Sequence, residues 1–121
     1  MPSKDEHLEK AKRNETFAEF LATKTKYHDW AATVLYYAAL HYVDAILAVS
    51  QVDPPDHEQR HALIRRNDTL RRIYAEYRML ETLSRNARYF ALPVTENDWN
   101  RVKPEFDALR GHIRSRLGVK D

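Results

Sequence analysis

The chain has 121 residues, a net charge of +2 and no cysteine. That length suits a single domain over 1–121 with a core that needs no staples. The missing cysteines exclude disulfides, thiolate zinc sites and cysteine nucleophiles. The only glycines are Gly111 and Gly118, and the prolines stand at 2, 54, 55, 93 and 104, so 3–53 and 56–92 hold no helix breaker. With Leu, Ala, Glu and Arg abundant, the composition predicts an all-α chain.

The opening MPSKDEHLEKAKR is charged and lacks the apolar run of a signal peptide, which points to the cytoplasm. Ser3 is placed to cap a first helix, with Asp5 and Glu6 in its opening turn. Leu8, Ala11, Phe17, Phe20 and Leu21 would form its apolar face, and it should end between Thr23 and Lys26. A second helix is expected from Asp29, as cap, to about Ser50. Its stretch WAATVLYYAALHYVDAILAV (30–49) is apolar on all sides. A helix of that kind must be surrounded by other elements. It approaches the length of a bilayer span, but His41, Asp44 and three tyrosines near its middle mark it as a core helix and not a membrane segment.

QVDPPD (51–56) breaks the pattern, since neither Pro54 nor Pro55 can continue a helix. A third helix should follow Asp56 as N-cap through HEQRHALIRRN. Asn67 and Asp68 then suggest a boundary or kink, with Asp68 as a new cap. The fourth helix, about 69–91, places Leu70, Ile73, Tyr77, Leu80, Ser84 and Ala87 on one face at 3- and 4-residue spacing, and Pro93 closes it. Thr95 opens TEND, a capping-box pattern. The last helix should run from Glu96 to Leu117 with Trp99, Val102, Phe106, Leu109 and Ile113 inward, a kink at Pro104 and Gly118 as C-cap. The expected architecture is an up-and-down bundle of about five helices around the second.

Three groups of residues carry candidate chemistry. His57-Glu58-Gln59-Arg60-His61 spells the H-E-x-x-H pattern of zinc peptidases. The segment is polar throughout and follows a proline turn, and no third ligand follows at the usual spacing, so no metal site and no cofactor are expected. On the second helix Thr33, Tyr37, His41 and Asp44 share one face. Asp44 could orient His41 as an acid or base, with Tyr37 extending the network; a hydrogen-bonded core histidine is the plainer reading. Residues 57–90 hold eight arginines and no lysine. Arginine suits bidentate contact to phosphate or carboxylate, while a solvated, salt-bridged face is the plainer reading. On the fourth helix Arg78, Glu81, Arg85 and Arg88 form a stripe in which Glu81 can pair with Arg78 and Arg85. Arg85 and Arg88 run into Tyr89 and Phe90, a mixture suited to phosphates and bases.

YYAALHYVDAIL (36–47), the proline loop followed by HEQRHALIRRN (57–67), and YRMLETLSRNARYF (77–90) together resemble the HEPN domains, over about 27–115. The resemblance implies a small helical bundle that works as a homodimer. Many HEPN proteins are metal-independent ribonucleases, often toxins or defence effectors; others are non-catalytic, pair with small nucleotidyltransferases or bind nucleotides. Their catalytic pattern is an arginine, a polar residue and, after four to six intervening positions, a histidine. Arg85-Asn86 stands where the first two belong, but Ala91 and its neighbours are not histidine, and none of the six histidines has an arginine at the required distance upstream. The resemblance therefore implies an RNA- or nucleotide-binding protein that uses Arg60, Arg85, Arg88 and Tyr89, in a toxin–antitoxin or defence setting. Its alternatives are a ribonuclease with an atypical set, His57 or His41 as base and Arg85 stabilising the phosphorane charge, or a protein-interaction module.

Overall fold

The computed structural model describes residues 1–90 and 92–119. Five α-helices run in chain order: α1 (Lys4–Lys24), α2 (His28–Val49), α3 (His57–Arg66), α4 (Tyr74–Tyr89) and α5 (Glu96–Leu117), with a 3₁₀ turn at Leu70–Ile73 leading into α4. Among the described residues there is no strand. The expected end of the fourth helix at Ala91 and the last two residues of the expected domain lie outside the described residues.

The helix ends follow their local chemistry. Ser3 and Glu6 close a capping box on α1, as do Thr95 and Asp98 on α5, and the Asp56 carboxylate caps α3 through the Gln59 N–H. α2 ends in a Schellman arrangement: the N–H of Val52 bonds the Leu47 carbonyl and that of Gln51 the Ala48 carbonyl. This holds Gln51 at φ 58°, a position that favours glycine. Gly118, at φ 71°, ends α5. α5 continues through Pro104, which lies on the exposed face, so the Asn100 carbonyl that loses its donor meets water. Two expected caps differ. α2 begins at His28 after Tyr27, and Asp29 sits in its first turn instead of capping it. Asn67, not Asp68, caps the 3₁₀ turn, accepting from the N–H groups of Thr69 and Leu70, while Asp68 is exposed and pairs with Arg71.

α2 is the centre of the bundle, packed by α1, α4 and α5. It is long and apolar enough to cross a bilayer, yet 14 of its residues, from Ala31 to Leu47, are buried by the other helices. Contacts along its length fix the helix directions. His7 of α1 meets His41, and Arg88 at the end of α4 meets Tyr37, so α1 and α4 run antiparallel to α2. Phe106 and Arg114 of α5 meet Tyr42, and Trp99 lies by the α1–α2 corner, so α5 runs parallel to it. The core holds Leu35, Tyr36, Tyr42, Val43, Leu70, Tyr77, Leu80, Val102, Phe106, Leu109 and Ile113. The expected inward faces of the fourth and fifth helices agree with this, except that Ala87 is only partly covered. On α1 the inward face differs: His7, Ala11, Ala18 and Leu21 are buried, Leu8 packs at the margin, and Phe17 and Phe20 are exposed. The small alanines let α1 approach α2 closely and turn the two phenylalanines outward.

Candidate functional site

A polar seam crosses the bundle where α3 lies over α2 and α4. It starts at Asp44, which would be a buried charge on an otherwise apolar helix. Arg60 of α3 meets it in a fork: Nε to Oδ1 at 2.9 Å and Nη2 to Oδ2 at 3.0 Å. Arg60 is 8% exposed. Burial alone would lower its pKa, and the Asp44 carboxylate more than offsets that, so the guanidinium is held above its usual value. Arg60 Nη1 then donates to His57 Nδ1 at 3.3 Å, and the Tyr36 hydroxyl lies 3.3 Å from the same nitrogen.

Tyr36 is the junction. Its hydroxyl lies 3.3 Å from that of Tyr77 and donates to Glu81 Oε2 at 3.4 Å. Burial pushes the Tyr36 phenol up to about 12 and the Glu81 charge adds to this; burial, with Tyr36 beside it, also raises Tyr77. Both stay protonated donors at neutral pH. All the Tyr36 contacts are longer than the usual O–H···O spacing, whereas the Asp44–Arg60 fork has ideal lengths. The ion pair therefore sets the geometry and Tyr36 follows it. Beyond Tyr36, Glu81 accepts from His61 Nε2 at 2.9 and 3.0 Å, and His61 Nδ1 faces the Tyr74 hydroxyl at 3.1 Å. Both ring nitrogens of His61 are thus engaged, with Nε2 donating to Glu81.

The H-E-x-x-H histidines thus turn to different partners, His57 to Arg60 and Tyr36, His61 to Glu81 and Tyr74. Glu81 is not the surface partner that the fourth-helix stripe suggested. It is 8% exposed and bonded to His61 and Tyr36, and of the two expected arginine partners it keeps Arg85, whose Nη2 lies 3.8 Å away. Arg78 instead lies over the Tyr74 ring.

The second expected constellation separates. Asp44 goes to Arg60, Tyr37 accepts from Arg88 Nη1 at 2.8 Å, Thr33 bonds the Asp29 carbonyl, and His41 Nδ1 meets His7 Nδ1 at 3.1 Å. Asp44 thus does not orient His41. Burial and the facing His7 hold the His41 pKa below the ordinary histidine value, with Asp44 opposing and Lys10 and Arg60 reinforcing the shift. His41 lies in the α1–α2 contact, away from Arg85.

The remaining site residues gather around Tyr36. His57 and Glu81 touch its hydroxyl, Arg85 borders Glu81, and the Arg88 guanidinium sits 5.9 Å from the Tyr36 ring centre, 5.5 Å from Tyr37 and 5.0 Å from Tyr89. Arg60 joins them but is locked by Asp44. Arg85, with its side chain 57% exposed, and Tyr89, 69% exposed, face solvent. Tyr27, Trp30, Phe90 and Leu92 are exposed as well.

The sequence matches the HEPN domain over residues 5–104. The chain belongs to the HEPN family. The match takes in α1, which the sequence resemblance left out, and ends at Pro104 inside α5. No curated protein and no solved structure matches the chain. Within the HEPN fold seen here, Tyr36 and Tyr77 were the functional-site neighbours that residue patterns missed, while His61 was read only as part of the H-E-x-x-H pattern. The one available signal was that a tyrosine hydroxyl on an enclosed helix needs a partner.

Proposed function

We infer that this HEPN protein binds RNA or a nucleotide through the end of α4. The observation that carries the reading is Arg88, held among the rings of Tyr36, Tyr37 and Tyr89 with Tyr89 itself open to solvent. A fixed guanidinium beside an exposed aromatic plate, with the exposed Arg85 one turn earlier, matches the phosphate-and-base chemistry of a single strand. His57 and Arg60 serve this site from behind: Arg60 is committed to Asp44, so Arg85, Arg88 and Tyr89 make the contacts. The setting we assign is a cytoplasmic homodimer in a toxin–antitoxin or defence system, with a nucleotidyltransferase-type protein as a candidate partner. Fluorescence anisotropy with a labelled single-stranded RNA tests the reading. Affinity should fall steeply with salt and drop in Arg85→Ala and Tyr89→Ala; absent or salt-insensitive binding contradicts it.

A ribonuclease reading is favoured by one feature. His57 is exposed, and its Nε2 has no protein partner among the described residues while Nδ1 faces Arg60 and Tyr36. It could take a proton from a ribose 2′-hydroxyl only as the Nδ1–H tautomer, with Nδ1 donating to the Tyr36 hydroxyl and the Arg60 bond given up, and with Arg85 stabilising the developing charge. His41, turned toward His7, has no part in this reading. RNA cleavage in the presence of a chelator, lost in His57→Ala and Arg85→Ala, supports it; intact RNA after long incubation removes it.

A further inference from the structure

Between the first turn of α2 and the last turn of α4 lies a cavity of about 310 Å³, lined by Asp29, Trp30, Thr33, Ala87 and Arg88. It adjoins the RNA-binding face through Arg88, and its other lining residues include two that can meet a ligand, Asp29 and Trp30. Trp30 is 58% exposed, an indole left in water at the rim. The Asp29 carboxylate bonds no side chain among the described residues; only its backbone carbonyl is engaged, by the Thr33 hydroxyl at 2.9 Å. Arg88 is fixed on two sides, Nε to the Ser84 carbonyl at 3.3 Å and Nη1 to the Tyr37 hydroxyl at 2.8 Å. Its Nη2 bonds no protein atom among the described residues.

The cavity therefore presents an acceptor pair, a fixed donor and an aromatic plate. A carboxylate only accepts, through two oxygens, so it suits a ligand edge with two adjacent N–H groups. Guanine is the base with that edge, N1–H beside the N2 amine, and its opposite edge carries the acceptors O6 and N7, which arginine recognises. Bases splayed out of single-stranded RNA are recognised by stacking on aromatic rings and by hydrogen bonds to such edges. We propose that this cavity is a guanine pocket for single-stranded RNA, with Asp29 accepting from the N–H edge, Arg88 donating to the acceptor edge and Trp30 covering the face of the base. The inference rests on the RNA-binding reading and adds base selectivity to it.

Anisotropy with three labelled strands tests it: all-uridine, the same strand with one guanosine, and the same strand with inosine at that position, which lacks only the N2 amine. The guanosine strand should bind about tenfold tighter than all-uridine, as expected for one good two-point base contact. Inosine should lose most of that gain. Asp29→Asn replaces one acceptor by a donor and should abolish the discrimination among the strands, and Trp30→Ala should weaken the guanosine strand most. Discrimination that survives Asp29→Asn overturns the pocket. Equal, salt-sensitive binding of all three strands by the unmutated protein overturns the pocket alone, whereas binding of none overturns the RNA reading with it.

Discussion

The seam under α3 and the open end of α4 contain the same kinds of residue, arginine, tyrosine and carboxylate, arranged to opposite effect. In the seam Asp44, Arg60, Glu81 and His61 are buried or half-buried and bonded to one another. At the open end Arg85, Tyr89 and Trp30 face water, and Arg88 is held by tyrosines instead of by a carboxylate. A guanidinium locked in a buried two-point fork with a carboxylate, as Arg60 is, is neutralised and unavailable to an anion, whereas Arg85 makes only a long pair with Glu81 at 3.8 Å and keeps its side chain 57% exposed. One held by hydroxyls and ring faces keeps its charge to offer. The seam thus holds buried charge within the bundle, and the open end is where the proposed binding chemistry lies.

The largest test of that contrast is Asp44→Ala. Removing the carboxylate leaves Arg60 charged and buried, and breaking such a pair costs about 3–5 kcal/mol. Urea unfolding should show that loss; a change below about 1 kcal/mol would mean Arg60 escapes to solvent and the pair is a surface one. Next is Tyr89→Ala, which should lose about 1–3 kcal/mol of RNA affinity, the worth of one base–aromatic stack. Its melting temperature should stay unchanged, because the ring is exposed. A Tyr89→Ala protein that unfolds early but binds RNA normally would reverse the two assignments. Thr95→Ala removes the α5 cap and should cost about 1 kcal/mol of stability. It should leave RNA affinity unchanged, which separates destabilisation from lost contacts.

The smallest effect is with pH and belongs to the α1–α2 contact. The folded chain holds His41 below its ordinary value of about 6.5. The neutral form is therefore favoured by folding, its contribution is present above that value, and it is lost as pH falls through the lower folded value. Thermal melts from pH 7.5 to 5 should show a declining midpoint, and His41→Gln should flatten the decline. An unchanged slope in His41→Gln would place the acid sensitivity elsewhere.

The bundle was legible because its signals are local. The apolar run on α2, the breaker pair Pro54-Pro55 and the caps at Ser3, Asp56, Thr95 and Gly118 each act within a few residues. Phe17 and Phe20 misled because helical periodicity shows that a face exists, and the tight fit of Ala11 and Ala18 against α2 decides which face is used. The arginine–aromatic end could be read from Arg85-Asn86-Ala87-Arg88-Tyr89-Phe90 alone. The partner of Asp44 could not. His41 lies one turn away on the same helix, while Arg60 reaches it across 16 positions and the proline turn, and only the packing of α3 chooses between them. Tyr36 was hidden for the same reason, since its neighbours come from α3 and α4.

The central claim, that the end of α4 offers exposed positive charge to RNA while the seam does not, is tested most directly by the salt dependence of RNA affinity in the unmutated protein and in Arg85→Ala. The account predicts a linear fall of log affinity with log salt, and a slope reduced by about one phosphate contact in Arg85→Ala. RNA binding with the same slope in both proteins, or no binding at low salt, would contradict it.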